Sequence, residues 1–562
     1  MAHRIAVSPL PTSTHPLRFP LHGLFAIILS VGHDVDNIVA LFKEQEMRDP
    51  NNPAIGIDLG TTFSVLAYLD AHGEPKSVAN AEGDLLTPSV VLFEDSLVTV
   101  GKEARKAAAL VPEGLAAFAK RDMGEPAFHR EISGSKFPPE VIQSLVLSKL
   151  KHDAELQLPR VEQAVITVPS YFNEPRRKAT QDAGQLAGLD VLDIINEPTA
   201  AALTYGAKQG FLNERGEAAK TERVLVYDLG GGTFDVTLME IEGKNYNTIA
   251  TGGDVYLGGI DFDRRLIDHV AAAFQEKHGG DDPKQDLATL QRMTQEAEDV
   301  KRALTNREQT TFTVEHKGQG MRLQITRNLF ESLTEDLLMR TMFTIRNVLR
   351  QANCEANQVT RVILVGGSTR MPMVARQLEK ELGQTIDRSI STDEAVAHGA
   401  AIYAGILQNE RAGIKSSVSV VNVNSHSLGV LGTEEATGRP RNAVIIPANS
   451  QLPLVMGKRF STAKDGQRSI KVSVIEGGNA SGQNATPVAQ CVIRDLPPNL
   501  PKGTKVEVFF SYQQNGRMKI RARVPKLDKE ATLVVQREVG LSDENMVAWQ
   551  QWIDGTNLSL GD

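Results

Sequence analysis

A short pattern occurs twice in the chain, and each copy predicts a strand, a tight glycine turn and a second strand. The first copy reads IDLGTTF from Ile57, and the second reads YDLGGGTF from Tyr227. Glycine lets backbone N–H groups approach a ligand closely, so such turns can bind phosphate oxygens. Asp58 and Asp228 can hold a hydrated Mg2+ that bridges the phosphates. Two matched copies indicate two similar lobes that face one phosphate chain.

Composition limits the class of protein. The 562 residues suffice for roughly three to four domain-sized units. With a net charge of −8 and no run of Lys and Arg, neither nucleic acid nor a membrane is an expected partner. Cys354 and Cys491 are too few for a disulfide framework, which predicts a reducing, cytoplasmic location.

The N-terminal residues differ from the rest. The apolar run at 21–31 contains His22, lacks a clear cleavage site and is too short to cross a bilayer, so export is not favoured. We expect residues 1–52 to be an unstructured or mis-assigned extension. Met47 precedes the first phosphate strand closely and is the expected translation start.

Two charged residues between the repeated turns are candidates for the chemistry. Lys120 follows an alanine-rich stretch that we predict to be helical, and it either contacts phosphate or is a solvated surface group. Glu197 precedes Pro198 at a predicted helix start. It could hold a metal-bound or attacking water, or it could simply be stabilised there by the helix dipole.

Two later segments have the character of a nucleoside site. In the predicted helix at 295–304, Glu298, Lys301 and Arg302 share one face, which alone would be a surface ion-pair row. A third glycine turn, GGSTR from Gly366, follows a strand. It would let a flat base or ribose lie against the backbone, with Arg370 available to stack or pair.

Taken in order, these motifs resemble the nucleotide-binding domain of the heat-shock 70 kDa (DnaK-type) chaperones. The resemblance covers residues 54 to about 408. It is carried by IDLGTTFS, AKR, VPSYFNEPRRKATQDAG, INEPTAAAL, YDLGGGTFDV, LGGIDFD, EDVKRAL, VGGSTRMP and DEAVAHGAAIYA.

The resemblance implies an α/β, actin-like, two-lobed ATPase domain that binds ATP or ADP with Mg2+. It implies J-domain and nucleotide-exchange partners, and Arg177 matches an arginine that the family uses near its J-domain and interdomain surface. The implied catalytic residues are Lys120, Glu197, Asp228 and Thr233, and the implied metal residues, acting mostly through water, are Asp58, Asp228 and Glu197. The implied nucleotide-binding residues are Asp58, Gly60, Thr61, Thr62, Phe63, Gly230, Gly231, Gly232, Thr233, Glu298, Lys301, Arg302, Gly366, Gly367, Ser368, Arg370 and Asp393.

Beyond residue 408 the pattern becomes that of a β-sandwich. Alternating apolar residues at 469–474, 506–510 and 518–524, with a turn at Asn515-Gly516, predict a sheet with one buried face. This part resembles the family's substrate-binding domain less closely than the front does. By position, an apolar groove for an extended client peptide would be lined by Val430, Phe460, Ser461, Ala463, Ile470, Val472 and Val506.

Four segments depart from the family pattern. The interval from Lys120 to Glu197 is short, and the linker at 414–421 lacks the acidic, leucine-rich sequence, which leaves coupling between nucleotide and client open. The loop at 433–441 is polar where the family arches over the peptide. After residue 538 there is room only for one short helix that Ser542 could cap, so no helical lid is expected and clients should exchange quickly.

These observations predict the following organisation: an extension at 1–52, a nucleotide-binding domain at 53–408, a linker at 409–422, a substrate-binding β-sandwich domain at 423–538, and a short helix or tail at 539–562. The expected function is ATP-dependent binding of apolar segments of unfolded proteins. One alternative is a regulatory binding module for a dedicated partner. Another, a small-molecule kinase of the same superfamily, fits the motifs poorly.

Overall fold

The computed structural model describes residues 52–95, 97–210, 221–434, 437–513, 518–534 and 541–559, the side chains of Leu533, Val534 and Asp543 excepted. Contacts divide the chain into the units Met1–Met47 and Arg48–Asp562, and every described residue lies in the second. The predicted start at Met47, and all of the predicted extension except Asn52, lie outside the described residues.

The described strands and helices alternate up to residue 411, and strands predominate thereafter. The strands are β1 Ile55–Asp58, β2 Phe63–Leu69, β3 Pro75–Ser77, β4 Thr87–Pro88, β5 Val90–Glu94, β6 Leu97–Val100, β7 Leu115–Ala117, β8 Gln163–Val168, β9 Asp190–Asn196, β10 Glu222–Leu229, β11 Phe234–Glu242, β12 Asn245–Asp254, β13 Gln309–His316, β14 Gln319–Thr326, β15 Arg361–Val365, β16 Ser419–Val421, β17 Leu428–Thr433, β18 Pro440–Ile446, β19 Leu454–Ser461, β20 Ile470–Gly477, β21 Ala485–Ile493, β22 Lys505–Tyr512, β23 Met518–Val524, β24 Lys529–Val534 and β25 Leu558–Ser559. The helices are α1 Lys102–Ala107, α2 Pro139–Glu155, α3 Glu174–Leu186, α4 Glu197–Lys208, α5 Gly259–His278, α6 Leu287–Asn306, α7 Arg327–Gln351, α8 Pro372–Leu382, α9 Ala395–Arg411 and α10 Asp543–Gly555.

Two sheets of matching topology carry the repeated turns. One has the order β3-β2-β1-β8-β9, with β1 antiparallel to β2 and parallel to β8. The other has the order β15-β10-β11-β12-β16, with β10 antiparallel to β11 and parallel to β15. We call the parts built on these sheets lobe I and lobe II. Each repeated turn therefore sits at the same place in its own lobe, as the duplicated pattern predicted.

Helices α4 and α9 cross between the lobes. An ideal Cβ on Gly399 of α9 would lie 1.7 Å from the carbonyl oxygen of Ala200 in α4, and one on Gly56 of β1 would lie 2.0 Å from the backbone nitrogen of Ala401. These approaches are possible only without side chains, so glycine is required at both positions. They bring α9 directly against both α4 and the first strand of lobe I.

Lobe I carries a second sheet of order β25-β6-β5-β7. Its apolar face packs under α2 in a core that includes Val91, Phe93 and Leu145. Strand β25 comes from the far end of the chain and pairs parallel with β6, with Leu558 opposite Val98. Lobe I is thus completed by residues that lie more than 450 positions away along the chain.

The β-rich part is a sandwich of two four-stranded antiparallel sheets, β18-β17-β20-β21 and β19-β22-β23-β24. Alternate residues of β22, Val506, Val508 and Phe510, point into one core, as the period-two pattern predicts. The preceding segment joins lobe II, because β16 extends the lobe II sheet by pairing parallel with β12 and Val420 is buried there. Part of the predicted linker, Ser419–Val421, therefore forms a strand despite its unusual sequence, and its first three residues end α9.

Most local predictions agree with the structure. The helix at 174–186 begins where Asn173 accepts an N–H from Arg176, and α6 buries Met293, Ala297, Val300 and Leu304 at helical spacing. The TPSVVLF segment from Thr87 forms two short strands, β4 and β5. The alanine-rich stretch is helical only over Lys102–Ala107. The turn predicted at Asn515-Gly516 lies outside the described residues.

Candidate functional site

The two repeated turns touch each other across a cleft between the lobes. An ideal Cβ on Gly231 would lie 2.3 Å from the Thr62 hydroxyl oxygen, and one on Gly232 would lie 2.4 Å from a methyl carbon of Thr61. A side chain at either glycine would displace the opposite turn. The two turns therefore lie close enough for one anionic ligand to contact both.

Lys120 and Glu197 form a buried ion pair in this cleft. The Lys120 ammonium donates to Glu197 over 2.6 Å, and the two residues are 3% and 6% exposed. A tight 3-10 turn at Ala119–Asp122 and the start of α4 position the two side chains. Lys120 is therefore not a solvated surface group. Glu197 is the first residue of α4, and its carboxylate also accepts a hydrogen bond from the Lys120 ammonium.

Three carboxyl groups crowd around this pair. Burial, and then the charge of Glu197, raise the pKa of Asp58 to about 7, and the same two causes raise the pKa of Asp228 well above its usual range. Burial and Glu197 also raise the pKa of Asp235 to about 7, although Ser170 donates a hydrogen bond to it over 3.0 Å. One lysine does not offset so many buried carboxylates, so the cleft favours an additional cation.

Another part of the cleft carries charged side chains beside the Phe63 ring. Glu298 accepts from Arg105 of lobe I over 2.7 Å and from Arg302 of its own helix over 2.6 Å. The two guanidinium groups lie 5.4 Å and 5.1 Å from the centre of the Phe63 ring. This geometry can hold a planar aromatic group, because guanidinium groups stack on flat rings. Lys301 is bound to Asp263 over 2.6 Å.

The third glycine turn packs against the second. Gly366 has φ +82°, and a Cβ there would lie 2.5 Å from the carbonyl oxygen of Leu229. Ser368 donates to the carbonyl of Gly230 over 2.9 Å, and Arg370 pairs with Asp393 over 2.5 Å. The turn is thus part of the same cleft, as the sequence indicated.

A single cleft of about 1080 Å³ collects the predicted nucleotide residues. Every residue predicted to bind nucleotide or metal, or to act in catalysis, lines it except Gly232, which lies against Thr61 and accepts a hydrogen bond from Arg121, two residues that do line it. Their roles toward a ligand remain predictions.

The sequence prediction missed three residues that shape this site. Arg121 donates to the carbonyl of Gly232 over 2.9 Å and pairs with Asp261. Asp235 is the strand neighbour of Asp228, and Asp263 holds Lys301. The signals were present, since Arg121 follows Lys120 directly and Asp235 directly follows the second glycine turn.

The sandwich contacts lobe I along the loop between β8 and α3. Ser425 donates to the carbonyl of Ser170, and Glu476 accepts the N–H of Glu174 over 3.1 Å. The His426 ring lies 4.2 Å from the Tyr171 ring, centre to centre, and its Nε2 donates to the Tyr171 carbonyl over 3.0 Å.

Arg177, which the sequence placed near the interdomain surface, lies behind the same loop. Its guanidinium donates to the carbonyls of Phe172 and Ser170 and to the Asn196 side chain. It therefore braces the loop that the sandwich touches.

A second contact joins the sandwich to lobe II. The side chain of Asn449 accepts the N–H of Thr251 over 3.1 Å and donates to Gln351 over 2.7 Å. The sandwich therefore touches both lobes.

The residues predicted to line a peptide groove are mostly inside the sandwich. Val430, Ile470, Val472 and Val506 are buried in the core, and Phe460 packs against it as the strand partner of Val506. Ser461 and Ala463 are exposed. Peptide binding by these residues remains a prediction. It would require the two sheets of the sandwich to separate at one edge of the core.

Two other kinds of feature are absent from the described residues. Within these ranges, three or more His, Cys, Asp or Glu side chains nowhere converge to ligate a metal directly. Nor does any helix of that part of the chain have the length and apolarity needed to span a bilayer.

We expect the free energy of unfolding of the ligand-free protein to fall as the pH rises from about 4 to about 7. The pKa of Asp235 is 3.8 in the unfolded chain and about 7 in the folded protein. At a pH between these values, Asp235 is protonated when the protein is folded and ionised when it is unfolded. The contribution of Asp235 to the free energy of unfolding is complete below pH 4 and is lost as the pH rises through 7. One such group changes the free energy by up to about 1.4 kcal/mol per pH unit. Denaturant unfolding of Asp235→Asn between pH 5 and 8 should show a shallower slope.

The matched control is Asp281→Asn. Lys317 donates a hydrogen bond to exposed Asp281 and lowers its pKa, so it titrates below this range and its removal should leave the slope between pH 5 and 8 unchanged. Identical slopes for the wild-type protein and Asp235→Asn would contradict the assignment.

Comparison with known proteins matches most of the chain to the family that the sequence motifs resemble. The model of the Hsp70 protein family matches residues 54–133 and 125–552. The chaperone protein DnaK of Thermotoga neapolitana is 39% identical over 510 residues, which cover 89% of this chain and 83% of that protein. The chaperone protein DnaK of Halobacterium salinarum is 38% identical over 505 residues, covering 88% and 77%.

Proposed function

Because the chain belongs to the Hsp70 family and is an ATP-hydrolysing chaperone of that type, we propose that the cleft between the lobes is its ATP site. The α/β part would then be an actin-like ATPase domain at 53–408. The observation that carries this proposal is the contact of the two glycine turns beside the buried pair of Lys120 and Glu197.

The donor set of the cleft suits Mg2+ bound largely through water. Asp58 and Asp228 offer carboxylate oxygens, which Mg2+ prefers, and burial, followed by the negative charge of Glu197, raises the pKa of both groups, so a cation beside them would be favourable. We propose that these two aspartates, with Glu197, hold the hydrated ion. The bound ion would neutralise charge on the β- and γ-phosphates.

The protein groups supply position and charge. Glycine-turn N–H groups and the hydroxyls of Thr61, Thr62 and Thr233 would hold the phosphate oxygens. Lys120 would move from Glu197 toward the γ-phosphate, where a cation stabilises the charge of the transition state. The freed Glu197 carboxylate could then orient the attacking water. A covalent enzyme intermediate is not required, because phosphoryl transfer to water depends mainly on positioning and electrostatics.

The nucleoside would lie at the other end of the cleft. We propose that the adenine stacks between Arg370 and the group formed by Arg302, Lys301 and Glu298, while Gly366, Gly367, Ser368 and Asp393 approach the ribose side. The stacked guanidinium groups around Phe63 and the packing of Gly366 on Leu229 support this orientation.

The sandwich is the proposed client site. We propose a linker at 409–422, a substrate-binding domain at 423–538 and a tail at 539–562 that does not serve as a helical lid. In support, α10 packs against lobe I, with Trp552 5.6 Å from Phe137 between ring centres. Unfolded, apolar segments are the proposed clients, and a J-domain protein and an exchange factor the proposed partners.

ATP turnover should rise when unrelated apolar peptides are added. Client binding at the sandwich would reach the cleft through the loop between β8 and α3, which contacts the sandwich and also Asp235, the strand neighbour of Asp228. We expect stimulation by several unrelated apolar peptides and none by a fully charged peptide, measured as phosphate release under single-turnover conditions. Phe460→Ser should weaken the stimulation.

The matched control is Val455→Ser on the same strand. Val455 is 67% exposed on the outer face of β19, so this change should leave the stimulation intact. Response to one partner only would instead fit the regulatory module, an alternative that the relatives' names do not favour.

A further inference from the structure

The last described segment of the chain is built into lobe I. Helix α10 begins where the Ser542 hydroxyl accepts the N–H of Asn545, as the sequence predicted. After the helix, β25 adds a parallel strand to β6, and Val98 donates its N–H to the carbonyl of Asn557 over 3.0 Å. Backbone pairing therefore fixes this segment to the edge of a sheet.

Aromatic packing fixes the helix as well. Trp552 lies 5.6 Å from Phe137 and 6.4 Å from Phe93, between ring centres, and Trp549 lies 5.8 Å from Phe137. Ile553 is only 6% exposed and belongs to the same core as both phenylalanines. Such contacts are those of a domain core rather than of a surface tail.

The sandwich is consequently held at both ends, and by different lobes. At its start, β16 is a strand of the lobe II sheet; at its end, β24 is followed after eight residues by α10 on lobe I. Those eight residues can span roughly 30 Å when fully extended. While α10 stays in place, the sandwich can move away from lobe I by no more than this reach allows.

The lobe I anchor lies outside the cleft. Phe93, Phe137 and Val98 carry it, and none of them lines the cleft that holds the predicted nucleotide residues. A ligand in the cleft would therefore not touch these three residues directly. The direct contacts of the sandwich with Tyr171, Glu174 and Thr251 reinforce the arrangement.

We propose that residues 541–559 act as a strap that limits the movement of the sandwich and, together with its direct contacts with Tyr171, Glu174 and Thr251, keeps it docked on the two lobes whether the cleft holds ATP or ADP. Clients then exchange at a sandwich that stays docked. The proposal concerns where the sandwich lies and does not depend on which peptide it binds.

The chain itself provides the reporter for a test. Trp549 and Trp552 are its only two tryptophans, so the emission of the intact protein reports on α10 alone. We expect the emission maximum and acrylamide quenching to be the same with saturating Mg-ATP and Mg-ADP. The radius of gyration from solution scattering should also be the same. A red shift or an increased radius with ADP would overturn the proposal.

Two variants test the strap directly. Deletion of residues 541–562 should give a radius of gyration that increases with ADP. In Trp552→Ser, which retains Trp549 as the reporter, we expect a red-shifted, more readily quenched emission and the same increase in radius. Val547→Ala is the control, because Val547 is 58% exposed on the same helix, and it should behave as the wild-type protein. An unchanged Trp549 emission and radius in Trp552→Ser would also overturn the proposal.

Discussion

Lys120→Ala should nearly abolish ATP hydrolysis while ATP still binds. The substitution removes the only lysine that forms an ion pair with Glu197 among the described residues, and with it the cation proposed to contact the γ-phosphate. Loss of one preorganised charge donor typically costs about 100- to 1000-fold in turnover. The glycine turns and the nucleoside end of the cleft are untouched, so affinity should change much less. Phosphate release under single-turnover conditions and equilibrium binding of a fluorescent ATP analogue measure the two effects.

Two further variants separate chemistry from stability. Lys120→Ala leaves the Glu197 carboxylate buried without its partner, which destabilises a fold by several kcal/mol in general. Lys120→Arg keeps a positive charge but not the compact ammonium, so it should fold well and still hydrolyse ATP poorly. Lys106→Ala, at an exposed pair with Glu103, should leave turnover unchanged. Normal turnover in Lys120→Ala would remove Lys120 from the mechanism.

Gly399→Ala should destabilise the whole α/β part, although alanine ordinarily favours a helix. The helix propensity of alanine exceeds that of glycine by up to about 1 kcal/mol. Against this gain, the new Cβ would lie 1.7 Å from the carbonyl oxygen of Ala200, a backbone atom that cannot move without its helix. Overpacking of this kind typically costs about 1–3 kcal/mol, so the net effect is a loss. Thermal unfolding should show a lower Tm.

The same substitution should reduce turnover, because α4 begins at Glu197 and would be displaced with Ala200. Gly320→Ala is the matched control, since a Cβ at that position meets no atom within 4 Å. Equal melting temperatures for Gly399→Ala and the wild-type protein would show that the two helices are not packed as closely as described.

The cleft could be predicted from the sequence because its signals are local. Each glycine turn lies between apolar strands, and the order of motifs identified the family before any contact was known. The state of Lys120 could not be predicted in this way, since its 77-residue separation from Glu197 is bridged only by folding. The same holds for Asp235, whose burial depends on Ser170 and on the neighbouring strand.

Predictions for the later part of the chain were weaker for a physical reason. Alternation along β20 and β22 indicates which side chains face inward, but it does not distinguish a closed core from a groove. The structure places Val472 and Val506 in the core. The helix after the sandwich was predicted from its cap and apolar residues. Its partner surface on lobe I could not be predicted, because nothing in the sequence around Phe93 and Phe137 indicates contact with a helix so far along the chain.

The return of β25 to β6 changes how the chain should be divided. In topological terms, the sandwich is an insertion between two lobes rather than an appendage, since the described polypeptide starts in lobe I at Ile55 and re-enters lobe I before Ser559. No single continuous fragment short of nearly the whole described chain contains all of lobe I. A boundary drawn at residue 408 therefore separates a sheet from one of its own strands.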